Sequence, residues 1–152
     1  MSAAIIDIAE AVTAAINAQV WAPPYDYHLG AERLYEPVFT LADMAELKVS
    51  VVAAAVTGTL MARSKTRDQR YEIDIAFQQK LEAPADSVDT QETIGNLLAL
   101  VEEIGDYLFD QGNLTGLSAI AIAINQEPLY DPERMKRSEF LSVVTITYQE
   151  SR

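Results

Sequence analysis

At 152 residues the chain fits one domain, 1–152, large enough to build a hydrophobic core without staples. It contains no cysteine, which excludes disulfides and thiolate chemistry and leaves histidine and carboxylates as the only side chains for a metal. A formal charge of -12 argues against general nucleic-acid binding, which needs a basic surface that releases counterions from phosphate.

The N-terminal stretch "MSAAIIDIAEAVTAAINA" lacks a basic leader, and Asp7 and Glu10 interrupt its apolar run, so it does not read as a targeting signal. No later segment has an apolar run of membrane-spanning length, and a soluble protein made in a cytoplasm is expected. Ser2 is placed to cap a first helix in which Ile5, Ile8, Val12 and Ile16 recur at helical spacing. Pro23 and Pro24 stop that helix, and Trp21, Tyr25 and Tyr27 make the following segment a packed aromatic loop. His28, the lone histidine, reads as a loop residue beside those prolines and not as a ligand.

"ERLYEPVFT" predicts a short extended segment limited by Pro37, and "ELKVSVVAAAVTGTLMA" predicts a strand on its β-branched residues. "RSKTRDQ" is expected as a polar connection, after which Tyr71, Ile73, Ile75 and Phe77 alternate with Glu72, Asp74 and Ala76. The pair forms a long hairpin with one greasy and one acidic face on its second strand. Asp89, three residues before Glu92, predicts the cap of a second helix whose inner face is Ile94, Leu97, Leu98, Val101, Ile104 and Leu108, with Gly112 and Asn113 ending it. "LSAIAIAINQEPL" and "EFLSVVTITYQE" predict the last two strands, joined by a turn or a protruding loop at "YDPERMKR" whose options Pro128 and Pro132 limit. Ala119, Ala121 and Ala123 leave room for the long helix against one face. The whole is an α+β domain: one mixed, mostly antiparallel sheet, an N-terminal and a long central helix packed on it, and a protruding β-hairpin.

Catalytic patterns are weak. The six glycines form no phosphate-binding loop, no G-x-S-x-G elbow occurs, and Glu102, Glu103 and Asp106 share the solvated face of an amphipathic helix. No enzyme activity, cofactor or metal is expected. The cations, by contrast, are grouped: Arg63, Lys65, Arg67 and Arg70 at the hairpin, and Arg134, Lys136 and Arg137 before the last strand. With Glu72 and Asp74 they are the candidate contacts between copies or with a partner, since opposed charge sets register and orientation.

This layout resembles the tail-terminator and tail-completion proteins of long-tailed bacteriophages. The residues that carry the resemblance are the helix "IIDIAEAVTAAINA", the loop "YEPVF", the hairpin strand "RYEIDIAFQQKL", the helix "TIGNLLALVEEIGDYLF" and the closing strand "FLSVVTITYQE". It spans nearly the whole chain and rests on pattern, not on an invariant motif. What it implies is a non-enzymatic virion protein, assembled in the host cytoplasm. Such a homohexameric ring caps the head-proximal end of the tail tube, stops its polymerisation and docks the neck. The implied partners are other copies of the chain, the tail tube protein and a neck or head-completion protein, with DNA only as passing cargo and no membrane. The long "YDPERMKRSE" connection and the aromatic Trp21 loop also suit a neck or head-completion relative. A small oligomeric ligand-binding or regulatory α+β domain is the alternative from another class.

Overall fold

A computed structural model of the chain describes residues 3–35, 43–60, 67–83, 87–111, 114 and 116–151. Helix α1 (Ala4–Ala18) buries Ile8, Ala9, Val12 and Ile16, as the apolar spacing predicts. Its cap position is taken by Ala3, without a side-chain hydrogen bond. The expected cap, Ser2, lies outside the described residues.

The sheet contains β1 (Glu32–Arg33), β2 (Lys48–Leu60), β3 (Arg67–Lys80), β4 (Ile120–Asn125) and β5 (Glu139–Ser151), in the order β1-β2-β3-β5-β4. β1 pairs parallel with β2, and every other pairing is antiparallel. The α+β arrangement read from the sequence is therefore the observed one. Helix α2 (Val88–Gln111) and α1 pack on the same face of the sheet. Tyr71, Ile73, Ile75 and Phe77 on β3, Val49 and Val51 on β2, and Val144, Ile146 and Tyr148 on β5 are all buried beneath them. One face of an antiparallel sheet thus closes the core while the other turns outward.

Several local expectations are corrected. Arg67, Asp68 and Gln69 belong to β3 and not to the polar connection, because β2 pairs with all three and β5 accompanies β3 as far as Asp68. The hairpin is flush with its neighbour to that row; its tip, 61–66, lies outside the described residues, as does Pro37. At α2, Ser87 and not Asp89 is the capping residue: its Oγ accepts from Thr90 N–H at 3.3 Å and its carbonyl from Gln91 N–H at 3.0 Å. The helix ends at Gln111; Gly112 and Asn113 lie outside the described residues.

The turn expected at "YDPERMKR" contains a short helix, α3 (Pro132–Lys136), whose N-cap Asp131 accepts from the amides of Glu133 and Arg134. Asp131 N–H donates to Leu141 O at 2.9 Å, so this segment runs along the part of β5 that β4 does not reach. Finally, Ala119 and Ala121 are buried as anticipated, but a bulge between Ala121 and Ala123 turns Ala123 outward, and Ile124 takes its place toward α2.

Candidate functional site

The strand period places Asp68, Arg70, Glu72 and Asp74 together on the helix-free face of β3, with successive members about 7 Å apart. Residues opposite one another in an antiparallel ladder share a face, which adds Gln149, Thr147 and Thr145 from β5. Three rows cross the sheet: Thr57, Arg70, Gln149 and Ile120; Ala55, Glu72, Thr147 and Ala123; Val52, Asp74, Thr145 and Asn125. The result is a flat polar wall at the end of the sheet that carries the β2–β3 connection, called the upper end below.

Hydrogen bonds across the strands brace this wall. Asp74 Oδ1 accepts from Thr145 Oγ1 at 2.6 Å, and Asp68 Oδ1 accepts from Gln149 Nε2 at 2.8 Å. Arg70 and Glu72 are exposed between these pairs. Lower on the same face the character changes, because Ser50, Ala76 and Gln78 are buried. The acidic face read from the alternation is therefore confined to the upper half of the strand.

Of the predicted contact residues, Arg70, Glu72 and Asp74 are brought together on the wall. Arg67 opens β3 opposite Leu60 on β2. Arg63 and Lys65 lie outside the described residues. Arg134, Lys136 and Arg137 sit in and after α3 beside the lower half of β5, well separated along the strands from Arg70. Lys136 is paired with Glu133 at 3.3 Å, one turn away in the same helix, so this second cationic group is partly neutralised within itself. Asp68, Thr145, Thr147 and Gln149 were missed by sequence reasoning. The period-two pattern of "TITYQ" is the signal that could have found the last three once β5 was paired with β3.

Among the described residues no group of three or more histidines and carboxylates is placed to hold a metal ion. His28 is exposed at a cleft of about 540 Å³ that it shares with Tyr25, Tyr27, Glu46 and Gln79. Burial, with the neighbouring Tyr27 second, pushes the Tyr25 phenol up to about 12, so Tyr25 is a neutral hydrogen-bonding group at ordinary pH. No helix of the described residues is long and apolar enough to cross a membrane. Neither a family model nor a curated protein matches this sequence.

Proposed function

We propose that the protein is a structural component of a long-tailed phage virion: a tail terminator whose copies close into a ring on the head-proximal end of the tail tube. The ring halts tube polymerisation and offers the neck its docking surface, without catalysis. The reading starts from the resemblance in layout, and the observation that carries it is the sidedness of the sheet. The main apolar core lies under α1 and α2, whereas the upper half of the opposite face is a broad polar wall of Asp68, Arg70, Glu72, Asp74, Thr145, Thr147 and Gln149. A wall of this kind suits extended contact and a hydrated passage better than it suits a small ligand. Its carboxylates, in a chain of net charge -12, would keep passing DNA from adhering.

The experiment is electron microscopy of a lysate from the source virus carrying a stop codon at Trp21. Overlong tails unattached to heads are expected. Normal-length free tails beside heads that cannot join them would move the protein to the neck, and intact particles would overturn the virion role altogether.

A further inference from the structure

Among the described residues the sheet has two open edges, and they match. On one side β4 pairs only with β5, and Ile120, Ile122 and Ile124 are 47%, 40% and 40% exposed along it. On the other side β1 covers β2 only at Ser50 and Val51, with Leu34 N–H reaching Val51 O. Beyond that point Ala54, Val56, Thr57 and Gly58 are exposed, Val56 by 53%, and among the described residues no strand pairs with this stretch. Soluble monomers guard such edges with lysine, proline or inward charges. "IAIAIN" and "VAAAVTGT" carry neither charge nor proline.

We infer that β4 of one copy pairs antiparallel with the upper half of β2 in the next copy, head to tail, so that one continuous sheet runs around the ring. The inference rests on the ring reading and names the contact that closes it. Strand direction permits it: β2 and β5 run one way and β3 and β4 the other, so repeating the sheet sets β4 against a β2 of opposite direction. Height permits it as well. Ile120 stands in the row of Thr57 and Asn125 in the row of Val52, so the two edges span the same rows of the sheet and can pair along that height. Each edge carries a bulge, one between Ala53 and Ala55 and one between Ala121 and Ala123. Both flank the row of Ala55, Glu72, Thr147 and Ala123, so the two edges bend at the same height.

A two-fold pairing of β4 with a second β4 is the competing geometry, and charge opposes it. No lysine or arginine occurs from Leu81 to Glu133, and α2, which packs over β4, exposes Glu102, Asp106 and Asp110. A two-fold would bring these acidic helices side by side. The head-to-tail contact instead sets α2 beside the α1 side of the next copy, where Arg33 of β1 lies 3.6 Å from Glu10 of α1 and offsets its charge.

The test uses the purified full chain with one edge blocked at a time, Ile122→Lys on β4 and Val56→Lys on β2, read by light scattering with melting curves as the check on folding. Each variant alone should be monomeric, and an equimolar mixture should give a dimer and nothing larger, since it contains one good β4 and one good β2. Val56→Lys dimerising alone would establish the two-fold and overturn the inference. In a second variant Ala55→Cys and Ala123→Cys are combined in a chain otherwise free of cysteine, and oxidation should yield a ladder of covalent multimers while either single variant yields none. Edge variants that oligomerise like the wild type, or that still rescue the stop-codon virus, would overturn the pairing while leaving the terminator reading intact. Edge pairing confirmed in solution beside intact stop-codon virions would do the reverse.

Discussion

Asn17 holds Ala31 as a strand would: its Oδ1 accepts from Ala31 N–H at 2.6 Å and its Nδ2 donates to Ala31 O at 3.0 Å. The last turn of α1 therefore completes the hydrogen bonding of the chain just before β1, and Ala31 itself is buried. Because β1 covers the lower edge of β2, this one amide helps decide which part of that edge is open. Asn17→Ala would strand two buried backbone groups and should cost about 2 to 4 kcal/mol in denaturant melts. Asn17→Asp keeps the acceptor but sets a carboxylate against the Ala31 carbonyl, and should be no better. A loss under about 0.5 kcal/mol for Asn17→Ala would show that water replaces the amide.

Tyr148 offers the opposite case. It is fully buried in the row of Tyr71 and Ala121, and its hydroxyl has no hydrogen-bond partner among the described residues. Burial holds its phenol above the ordinary range. Tyr148→Phe removes an unsatisfied polar atom and keeps the ring, so it should raise stability by about 1 kcal/mol. A destabilised variant would reveal a partner for the hydroxyl.

Alkaline pH should expose the same physics at Tyr25, whose phenol is pushed up to about 12 from an ordinary value of about 10. The folded state holds this proton more tightly than the unfolded chain does. Its contribution to stability is complete below about pH 10 and is lost as pH rises from there through about 12. Melts of Tyr25→Phe across that window should fall less steeply than those of the wild type; parallel curves would remove Tyr25 from the account.

What the sequence made legible followed from strong periodicity. The alternation at Tyr71 to Phe77 gave the core face of β3 in full; on α2 Leu97, Val101, Ile104 and Leu108 are buried as anticipated, Ile94 and Leu98 only in part, and Leu100 is buried in addition. Competition between local signals was harder. Ser87 displaced Asp89 as the cap of α2 because the helix starts earlier than the Asp89 to Glu92 spacing implies. In "DPER" the two prolines nearby favour a turn, yet Asp followed by proline is also a helix-start signal and does start α3. The outer wall was half legible: Arg70, Glu72 and Asp74 share a face by period alone. Their neighbours Thr145, Thr147 and Gln149 depended on a register between β3 and β5 that single strands do not encode. The bulge at Ala121 and Ala123, which exposes one alanine and leaves the next isoleucine over Gly105, carries no local signal.

Trp21, the only tryptophan, reports on the aromatic loop directly. It is buried, its ring meets Tyr107 edge-on with centroids 5.5 Å apart, and the next residue's amide, Ala22 N–H, donates to the Glu103 carboxylate at 3.1 and 3.3 Å. Gln19 Nε2 adds a bond of 3.1 Å to the Tyr107 hydroxyl. The loop is thus fixed on α2 by one aromatic contact and two polar ones. Tyr107→Ala should cost about 2 to 4 kcal/mol and move Trp21 emission to the red. Glu103→Gln, which keeps an acceptor for Ala22, should leave emission unchanged and cost under about 1 kcal/mol. Unshifted emission in Tyr107→Ala would mean that the core, and not α2, positions the indole.

Arg70 is exposed on the polar wall and Arg67 opens the same strand, so reversing the charge of both tests assembly. Combining Arg67→Glu with Arg70→Glu should change the melting free energy by no more than about 0.5 kcal/mol, the usual range for surface substitutions. If the cations at the upper end meet acidic groups of a neighbour or of the tube, the same variant should fail to rescue the stop-codon virus. Exposed charge pairs are screened by salt, so wild-type oligomers should also loosen between about 0.05 and 0.5 M salt, where the Debye length falls severalfold. Full rescue, with salt-insensitive oligomers, would mean that the uncharged edges alone hold the copies together and that Arg67 and Arg70 serve solubility.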